Sequence, residues 1–161
     1  MSDTKSIFVG LNETLIYTDL EGKLKDDPGV SKIVINGNVY SVKLRPGASK
    51  LLKGLRKKGE VYLLTKTASD YALAMSNKFG FDFDKERIFD RDYIQDWKNK
   101  KLDIPIGENY LIDDLPYAYN FKKISFLKQL GVVKYIKVNP YNGSANDDMS
   151  SEDVKDILKE I

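Results

Sequence analysis

The sequence predicts a three-layer α/β domain with a mostly parallel sheet. Apolar segments typical of strands alternate with amphipathic segments typical of helices, and no internal repeat or low-complexity linker interrupts them. Three of the apolar segments end at small or polar residues, namely Gly10, Thr65 and Asp113. Because sites in open parallel sheets are built at the carboxyl ends of strands, we expect these three residues to converge at one sheet edge.

The first predicted strand lies within the segment from Ile7 to Tyr17, which opens with an apolar run and then meets Gly10. A short apolar run bounded by glycine is typical of a buried strand. A β-hairpin is predicted next, because two β-branched runs flank Asn36-Gly37, a pair that favours a two-residue type I′ turn. We place this hairpin flap at about residues 31–43.

The rest of the chain continues the alternation of helices and strands. Apolar spacing and glycine or proline stop signals set the boundaries of these elements. After Arg45-Pro46-Gly47 the predicted order is a helix ending before Gly59, strand Glu60 to Thr65, helix Ser69 to Phe79, strand Asn109 to Asp114, helix Lys122 to Leu130, strand Val132 to Val138, and an acidic C-terminal helix at about residues 150–161. We interpret residues 1–161 as a single domain.

The composition restricts the chemistry that is available. The chain has 161 residues and a formal net charge of +2, which gives no bulk electrostatic argument for binding nucleic acid or membrane. It has no cysteine and no histidine, so catalysis would depend on carboxylates, hydroxyls and lysines. No stretch approaches the roughly 20 apolar residues of a membrane helix, and we expect a cytoplasmic location without membrane attachment.

Two further patterns indicate a family. The segment Gly10-Leu11-Asn12-Glu13-Thr14-Leu15 resembles motif I of the haloacid dehalogenase (HAD) superfamily, an apolar strand followed by Asp-x-Asp-x-Thr. Arg45-Pro46-Gly47, a basic helix, a strand ending in Thr65 and Ser69-Asp70-Tyr71-Ala72 resemble one block of the FCP/SCP-type phosphatases, which act on the C-terminal tail of RNA polymerase. The resemblance implies a HAD-like fold in which the hairpin is a small flap.

The resemblance also assigns roles to particular positions. Thr65 matches the motif II residue that binds the transferring phosphoryl group, and Gln95 takes the position of the motif III lysine. Asp113 and Asp114 match the acidic residues of motif IV that help to hold Mg²⁺. Gly10 and Asn12 stand where active relatives carry the nucleophilic aspartate and the acid/base aspartate. The six positions of this degenerate site are Gly10, Asn12, Thr65, Gln95, Asp113 and Asp114.

The two missing aspartates lead to the expectation that the chain is not an enzyme. Glycine offers no nucleophile, and an amide exchanges no proton near neutral pH. Losing one nucleophile lowers the rate on the order of a million-fold in comparable enzymes. We therefore expect a catalytically inactive pseudophosphatase without a cofactor. A weakly held Mg²⁺ at Asp113 and Asp114 is the most that two carboxylates would support.

A pseudophosphatase would act by binding another macromolecule, and basic and aromatic residues are the candidate contacts. The candidate contact residues are Lys53, Arg56, Lys57, Trp97, Lys98, Lys100 and Lys101. The expected partner is a protein, with RNA polymerase as the candidate and a phage-type transcription regulator as the corresponding function. Nucleic acid is the other candidate, bound through a local basic face instead of net charge.

The alternative is a residual Mg²⁺-dependent phosphatase that acts on a phosphoprotein or a nucleotide. Its nucleophile would be Thr14 or Thr65, although no histidine or cysteine is present to activate either hydroxyl. Lys98, Lys100 or Lys101 would then replace the motif III lysine.

Overall fold

The computed structural model describes residues 5–95, 108–114, 132–144 and 149–161. The predicted helix Lys122 to Leu130 lies outside these ranges, as do Trp97, Lys98, Lys100 and Lys101. The strands are β1 (Lys5–Val9), β2 (Ile16–Thr18), β3 (Val30–Ile35), β4 (Asn38–Leu44), β5 (Glu60–Leu64), β6 (Ile88–Phe89), β7 (Glu108–Asp113) and β8 (Val132–Lys137). The α-helices are α1 (Ala48–Arg56), α2 (Ser69–Phe79), α3 (Arg91–Gln95) and α4 (Ser151–Lys159), and Lys85–Arg87 form a 3-10 turn.

Five of the described strands form a parallel sheet in the order β6-β5-β1-β7-β8. Strand β1 is central and pairs in parallel with β5 on one side and with β7 on the other. Its last residue, Val9, is in register with Leu63 of β5 and Ile112 of β7. The residues that follow these three strands therefore meet at one edge, and the predicted α/β class with a mostly parallel sheet is confirmed.

Apolar side chains cover both faces of the parallel sheet, as the side-chain alternation of β1 requires. Ile7 and Val9 belong to a large cluster with the buried residues of α1 and α2. Phe8 points to the opposite face, where it stacks on Tyr62 at a centroid distance of 5.3 Å and packs in a smaller cluster with Ile94 of α3. The sheet is thus the middle layer between two apolar faces.

The predicted hairpin flap forms the core of a second, antiparallel sheet with the order β2-β4-β3. Its turn residues Asn36 and Gly37 have φ angles of 50° and 82°. Positive φ at both central residues is what a type I′ turn requires, and asparagine and glycine tolerate it best. Strand β2 follows the loop after β1 directly, so the flap sheet is attached beside the carboxyl edge of the parallel sheet.

The C-terminal helix α4 begins at a capping box. The Ser150 hydroxyl accepts a hydrogen bond from the Asp153 N–H, and the Asp153 carboxylate accepts one from the Ser150 N–H. Two orphan donors of the first turn are satisfied in this way. Within the ranges that the structure covers, every helix is too short or too polar to cross a membrane.

Candidate active site

A cleft of about 230 Å³ opens at the carboxyl edge of the parallel sheet. It collects the residues that immediately follow the strands β1, β5 and β7. The lining residues are Gly10, Leu11, Asn12, Glu13, Leu64, Thr65, Lys66, Thr67, Asp113 and Asp114. Because this edge carries oxygen-rich side chains from three neighbouring strands, the cleft is the candidate active site.

Gly10 directly follows β1 at this edge and faces the end of β7. Its N–H donates to the carbonyl of Ile112 at 2.9 Å. A Cβ atom built on Gly10 would lie 2.5 Å from Oδ1 of Asp113 and 3.1 Å from Oγ1 of Thr14. The space that a side chain at position 10 would need is therefore filled by the Asp113 carboxylate, which reaches over from the neighbouring strand.

Asp113 and Asp114 form a buried pair of carboxylates, exposed by only 3% and 2%. The Thr14 hydroxyl lies 2.8 Å from Asp114 Oδ1 and 3.3 Å from Asp113 Oδ1, and the Asp114 N–H donates to Asp113 Oδ1 at 2.9 Å. Burial, together with the hydrogen bond and the negative charge of Asp113, raises the pKa of Asp114 to about 7. The pair therefore takes up a proton at a higher pH than ordinary carboxyl groups do.

The pair makes the stability of the fold depend on pH. The folded-state pKa of Asp114 lies above its ordinary 3.8, so stability falls as the pH rises from about 4 to 7. In a chelating buffer, Asp114→Asn should raise the melting temperature more at pH 8 than at pH 5, by at least about 3 °C. Differential scanning calorimetry measures this, with the exposed Asp92→Asn as the matched control. An equal effect of Asp114→Asn at both pH values would contradict the assignment.

Asn12 is held in place by hydroxyl groups from two other elements. The Tyr71 hydroxyl on α2 donates to Asn12 Oδ1 at 3.0 Å, and the Thr18 hydroxyl of β2 lies 3.5 Å from the same oxygen. The Thr18 and Tyr71 hydroxyls also contact each other. Burial raises the pKa of Tyr71, so its hydroxyl stays protonated as a donor. This network fixes the loop after β1 against the flap sheet and α2.

Thr65 follows β5 and forms the opposite wall of the cleft. Its N–H donates to the Phe89 carbonyl at 2.9 Å, and its hydroxyl lies 2.8 Å from that of Thr67. The Thr67 N–H also donates to Thr65 Oγ1, at 3.2 Å. Lys66 is exposed and lines the same cleft. Sequence analysis missed Lys66 and Thr67, although a Thr-Lys-Thr run directly after a predicted strand was a usable signal.

The structure brings together five of the six predicted site positions, namely Gly10, Asn12, Thr65, Asp113 and Asp114. Gln95 is the last residue of α3, and its side chain lies outside the described part of the structure.

The predicted contact residues Lys53 and Arg56 on α1, and Lys57 directly after it, are exposed. Arg56 nevertheless contributes to the fold, because its guanidinium group donates to the carbonyls of Phe81 and Asp82 and lies 4.9 Å from the Phe83 ring centroid. Lys53 and Lys57 are therefore the cleaner candidates for contacting a partner.

HAD phosphatases use Mg²⁺, an ion that prefers oxygen ligands such as the carboxylates of this cleft. Among the described residues, no group of three or more histidine, cysteine, aspartate or glutamate side chains is arranged to hold a metal ion. The pair Asp113 and Asp114 nevertheless fits the ion. Asp114 Oδ2 is buried and has no hydrogen-bond partner within the described part of the chain, and Mg²⁺ commonly uses one or two carboxylates together with substrate phosphate. Asp113 and Asp114 would hold the ion, which would neutralise charge on a bound phosphate.

The fold is a Rossmann-like parallel sheet with threonines and paired carboxylates at its carboxyl edge. The chain belongs to the NLI interacting factor-like phosphatase family, whose family model matches residues 5–161. No curated protein shows significant sequence similarity to it.

Several solved structures share the fold. The fission yeast RNA polymerase II CTD phosphatase Fcp1-R271A bound to beryllium fluoride matches with a TM-score of 0.59 and 17% identity, over 98% of this chain and 49% of that chain. A second structure of Fcp1, described as an essential RNA polymerase II CTD phosphatase, matches with a TM-score of 0.59 and 18% identity, over 98% and 48%. DsGPDH of Dunaliella salina matches with a TM-score of 0.50 and 15% identity, over 82% and 23%. The chain therefore spans about half the length of the two Fcp1 chains.

These findings correct one expectation. The prediction that the chain is not an enzyme is wrong, because its family and its Fcp1 neighbours are phosphatases. The prediction rested on the missing aspartates at positions 10 and 12 and on Gln95 at the motif III position. The structure shows a carboxylate from β7 beside Gly10 instead, so glycine at the end of β1 does not leave the cleft without a carboxylate.

Proposed function

We propose that this domain is a phosphatase that acts on a phosphorylated macromolecule in the cleft at the carboxyl edge of the sheet. One observation carries the proposal: Gly10, Asn12, Thr65, Asp113 and Asp114 come from three strands and line one cleft. Phosphoryl transfer requires hydroxyl or cationic groups that hold the phosphate oxygens and carboxylates that act on phosphorus or a metal ion. The cleft supplies both kinds of group.

The two walls of the cleft have different roles in this proposal. The hydroxyl of Thr65, supported by Thr67, and the ammonium group of Lys66 would bind the phosphate oxygens. Asp113 and Asp114 on the other wall are fixed by Thr14. Lys66 takes over the charge-neutralising role for which sequence analysis considered Lys98, Lys100 and Lys101.

A phosphoprotein is the proposed substrate class. The Fcp1 structures are those of a phosphatase of the RNA polymerase II C-terminal tail, and they share the fold of this chain. The cleft is formed by the loop ends of the sheet, and the flap sheet stands beside it. A phosphorylated side chain on an extended peptide would enter such an edge more readily than a substrate that needs full enclosure.

The proposal predicts phosphate release that depends on Mg²⁺ and on the Thr65 hydroxyl. Thr65→Val should lower kcat/KM about 10²-fold, because one positioned donor to the developing charge is lost. Phosphate release from p-nitrophenyl phosphate and from phosphoserine peptides measures this, with Ser49→Ala on the exposed face of α1 as the control. If the wild-type protein with Mg²⁺ releases phosphate from none of these probes, the proposed function is wrong.

We also propose that the exposed basic face of α1 docks the macromolecule that carries the phosphate. Lys53, Lys57 and Lys58 are exposed on or just after this helix, while Leu51, Leu52 and Leu55 are buried beneath it. A basic face of this kind fits an acidic protein surface, with RNA polymerase as the candidate, as in a phage-type regulator. Duplex DNA is the competing partner.

Charge reversal tests this docking face. Lys53→Glu, Lys57→Glu and Lys58→Glu together should weaken binding to immobilised RNA polymerase at least tenfold and leave the melting temperature unchanged, because these side chains are exposed. The control carries three reversals elsewhere, at the exposed Lys32, Lys155 and Lys159. Binding to duplex DNA is measured in parallel at several salt concentrations. A logarithm of the binding constant that falls with the logarithm of salt concentration, with a slope of about −0.9 for each phosphate contact, would identify nucleic acid as the partner. Equal binding by both triple variants would contradict the docking face.

A further inference from the structure

We propose that Asp113, at the end of β7, is the nucleophile of this domain and replaces the carboxylate that β1 lacks. This inference rests on the proposed phosphatase function and names the residue that performs its first step. It follows from the arrangement of Gly10 and Asp113 at the junction of β1 and β7.

The carboxyl group of Asp113 lies directly beside Gly10. A Cβ atom on Gly10 would lie 2.5 Å from Asp113 Oδ1 and 3.0 Å from Asp113 Cγ. The carboxyl group of Asp113 therefore occupies the volume in which a side chain from the end of β1 would begin. Strands β1 and β7 are paired neighbours, so a carboxylate at the end of β7 lies at the same edge of the same cleft as one at the end of β1 would.

Hydrogen bonds also fix the orientation of the Asp113 carboxyl group. The Asp114 N–H donates to Asp113 Oδ1 at 2.9 Å, and the Thr14 hydroxyl lies 3.3 Å from the same oxygen. These contacts hold the carboxyl group in one position before a substrate binds. A nucleophile held in this way avoids part of the entropic cost of reaching the phosphorus atom.

The two threonines considered from the sequence fit less well. Thr14 is fully buried, and it is absent from the lining of the cleft. Its hydroxyl is already bonded to the carboxylate pair. Thr65 lines the cleft, but its hydroxyl contacts the hydroxyl and N–H of Thr67 among the described residues, and neither group is a base that would remove its proton. A carboxylate needs no base to act as a nucleophile, so Asp113 is the better candidate.

The reaction would proceed in two displacements. An Asp113 carboxylate oxygen attacks the phosphorus of a phosphate monoester, the ester P–O bond breaks, and the leaving alkoxide takes a proton from water. Water then attacks the phosphorus of the aspartyl phosphate and gives up a proton, which neutralises the hydroxide ion left by the first step. The bond between phosphorus and the Asp113 oxygen breaks, and inorganic phosphate leaves with the carboxylate regenerated. Thr65 and Lys66 face the phosphate from the opposite wall.

The test is to trap and locate the phosphorylated residue. Wild-type protein with Mg²⁺ and p-nitrophenyl phosphate is quenched in acid and reduced with borohydride, which converts an aspartyl phosphate to homoserine. Peptide mass spectrometry should then place homoserine at position 113. Asp113→Ala should lower turnover at least about 10³-fold, while the exposed Asp92→Asn retains it.

A second variant keeps the test valid if Asp113→Ala folds poorly. Gly10→Asp combined with Asp113→Ala returns the carboxylate to β1 and removes the atoms that obstruct it. The turnover of this double variant should be at least tenfold higher than that of Asp113→Ala. Its homoserine label should lie at position 10. Wild-type turnover with a label elsewhere, or full turnover by Asp113→Ala, would overturn the inference and leave the phosphatase function standing. A wild-type protein with neither turnover nor label would overturn the phosphatase function itself.

Discussion

Gly10→Asp is expected to destabilise the fold by about 3 kcal/mol, which corresponds to a fall of roughly 6–12 °C in melting temperature. The new Cβ would lie 2.5 Å from Asp113 Oδ1, so the Asp113 side chain or the strand end must shift. The new carboxylate would also add a third negative charge to a pair that is almost fully buried. The loss should therefore be larger at pH 8 than at pH 5.

A double-mutant cycle isolates the cause of this destabilisation. Asp113→Ala removes the obstructing oxygen and Cγ. The loss of stability in the double variant Gly10→Asp with Asp113→Ala should therefore be smaller than the sum of the two single losses, by more than about 1 kcal/mol. Gly10→Ala is the control for size without charge and should lose less stability than Gly10→Asp. Calorimetry that finds Gly10→Asp as stable as the wild type would show that Asp113 does not occupy this space.

Thr14→Val is expected to cost about 2 kcal/mol, although valine has nearly the same shape as threonine. The Thr14 hydroxyl lies 2.8 Å from Asp114 Oδ1, and both groups are buried. Without this donor, a buried carboxylate oxygen loses its partner and the pair becomes harder to ionise. The defect should grow as the pH rises through about 7, where Asp114 loses its proton.

Thr14→Ser is the matched control, because it retains the hydroxyl and loses only a methyl group. We expect it to cost about 1 kcal/mol, without the rise at high pH. Chemical denaturation at pH 5 and pH 8 measures both variants. The same pH profile for valine and serine would show that the hydroxyl is not what supports the carboxylate pair.

The overall fold was accessible from the sequence because local signals determine it. Apolar runs ending at Gly10, Thr65 and Asp113 predicted three strands, and parallel strands place their carboxyl ends at one edge. The Asn36-Gly37 pair predicted the flap turn, since few other residues accept positive φ at both positions.

The chemistry of the cleft was less accessible, because it depends on contacts between residues far apart in the chain. The Thr14 hydroxyl meets Asp114 at a separation of 100 residues, and Tyr71 meets Asn12 at 59. Motif spacing indicates which residues share an edge, but the close approach of Asp113 to Gly10 appears only once the strand register is known.

One measurement tests the central claim, that the cleft binds a phosphoryl group at Asp113. Beryllium fluoride forms a complex with aspartate carboxylates that imitates a phosphoryl group, and an Fcp1 structure was determined with it. Fluorine NMR of the wild-type protein with Mg²⁺ and beryllium fluoride should show resonances from bound fluoride, and Asp113→Ala should abolish them. Wild-type spectra without bound resonances, or bound resonances that persist in Asp113→Ala, would contradict the account.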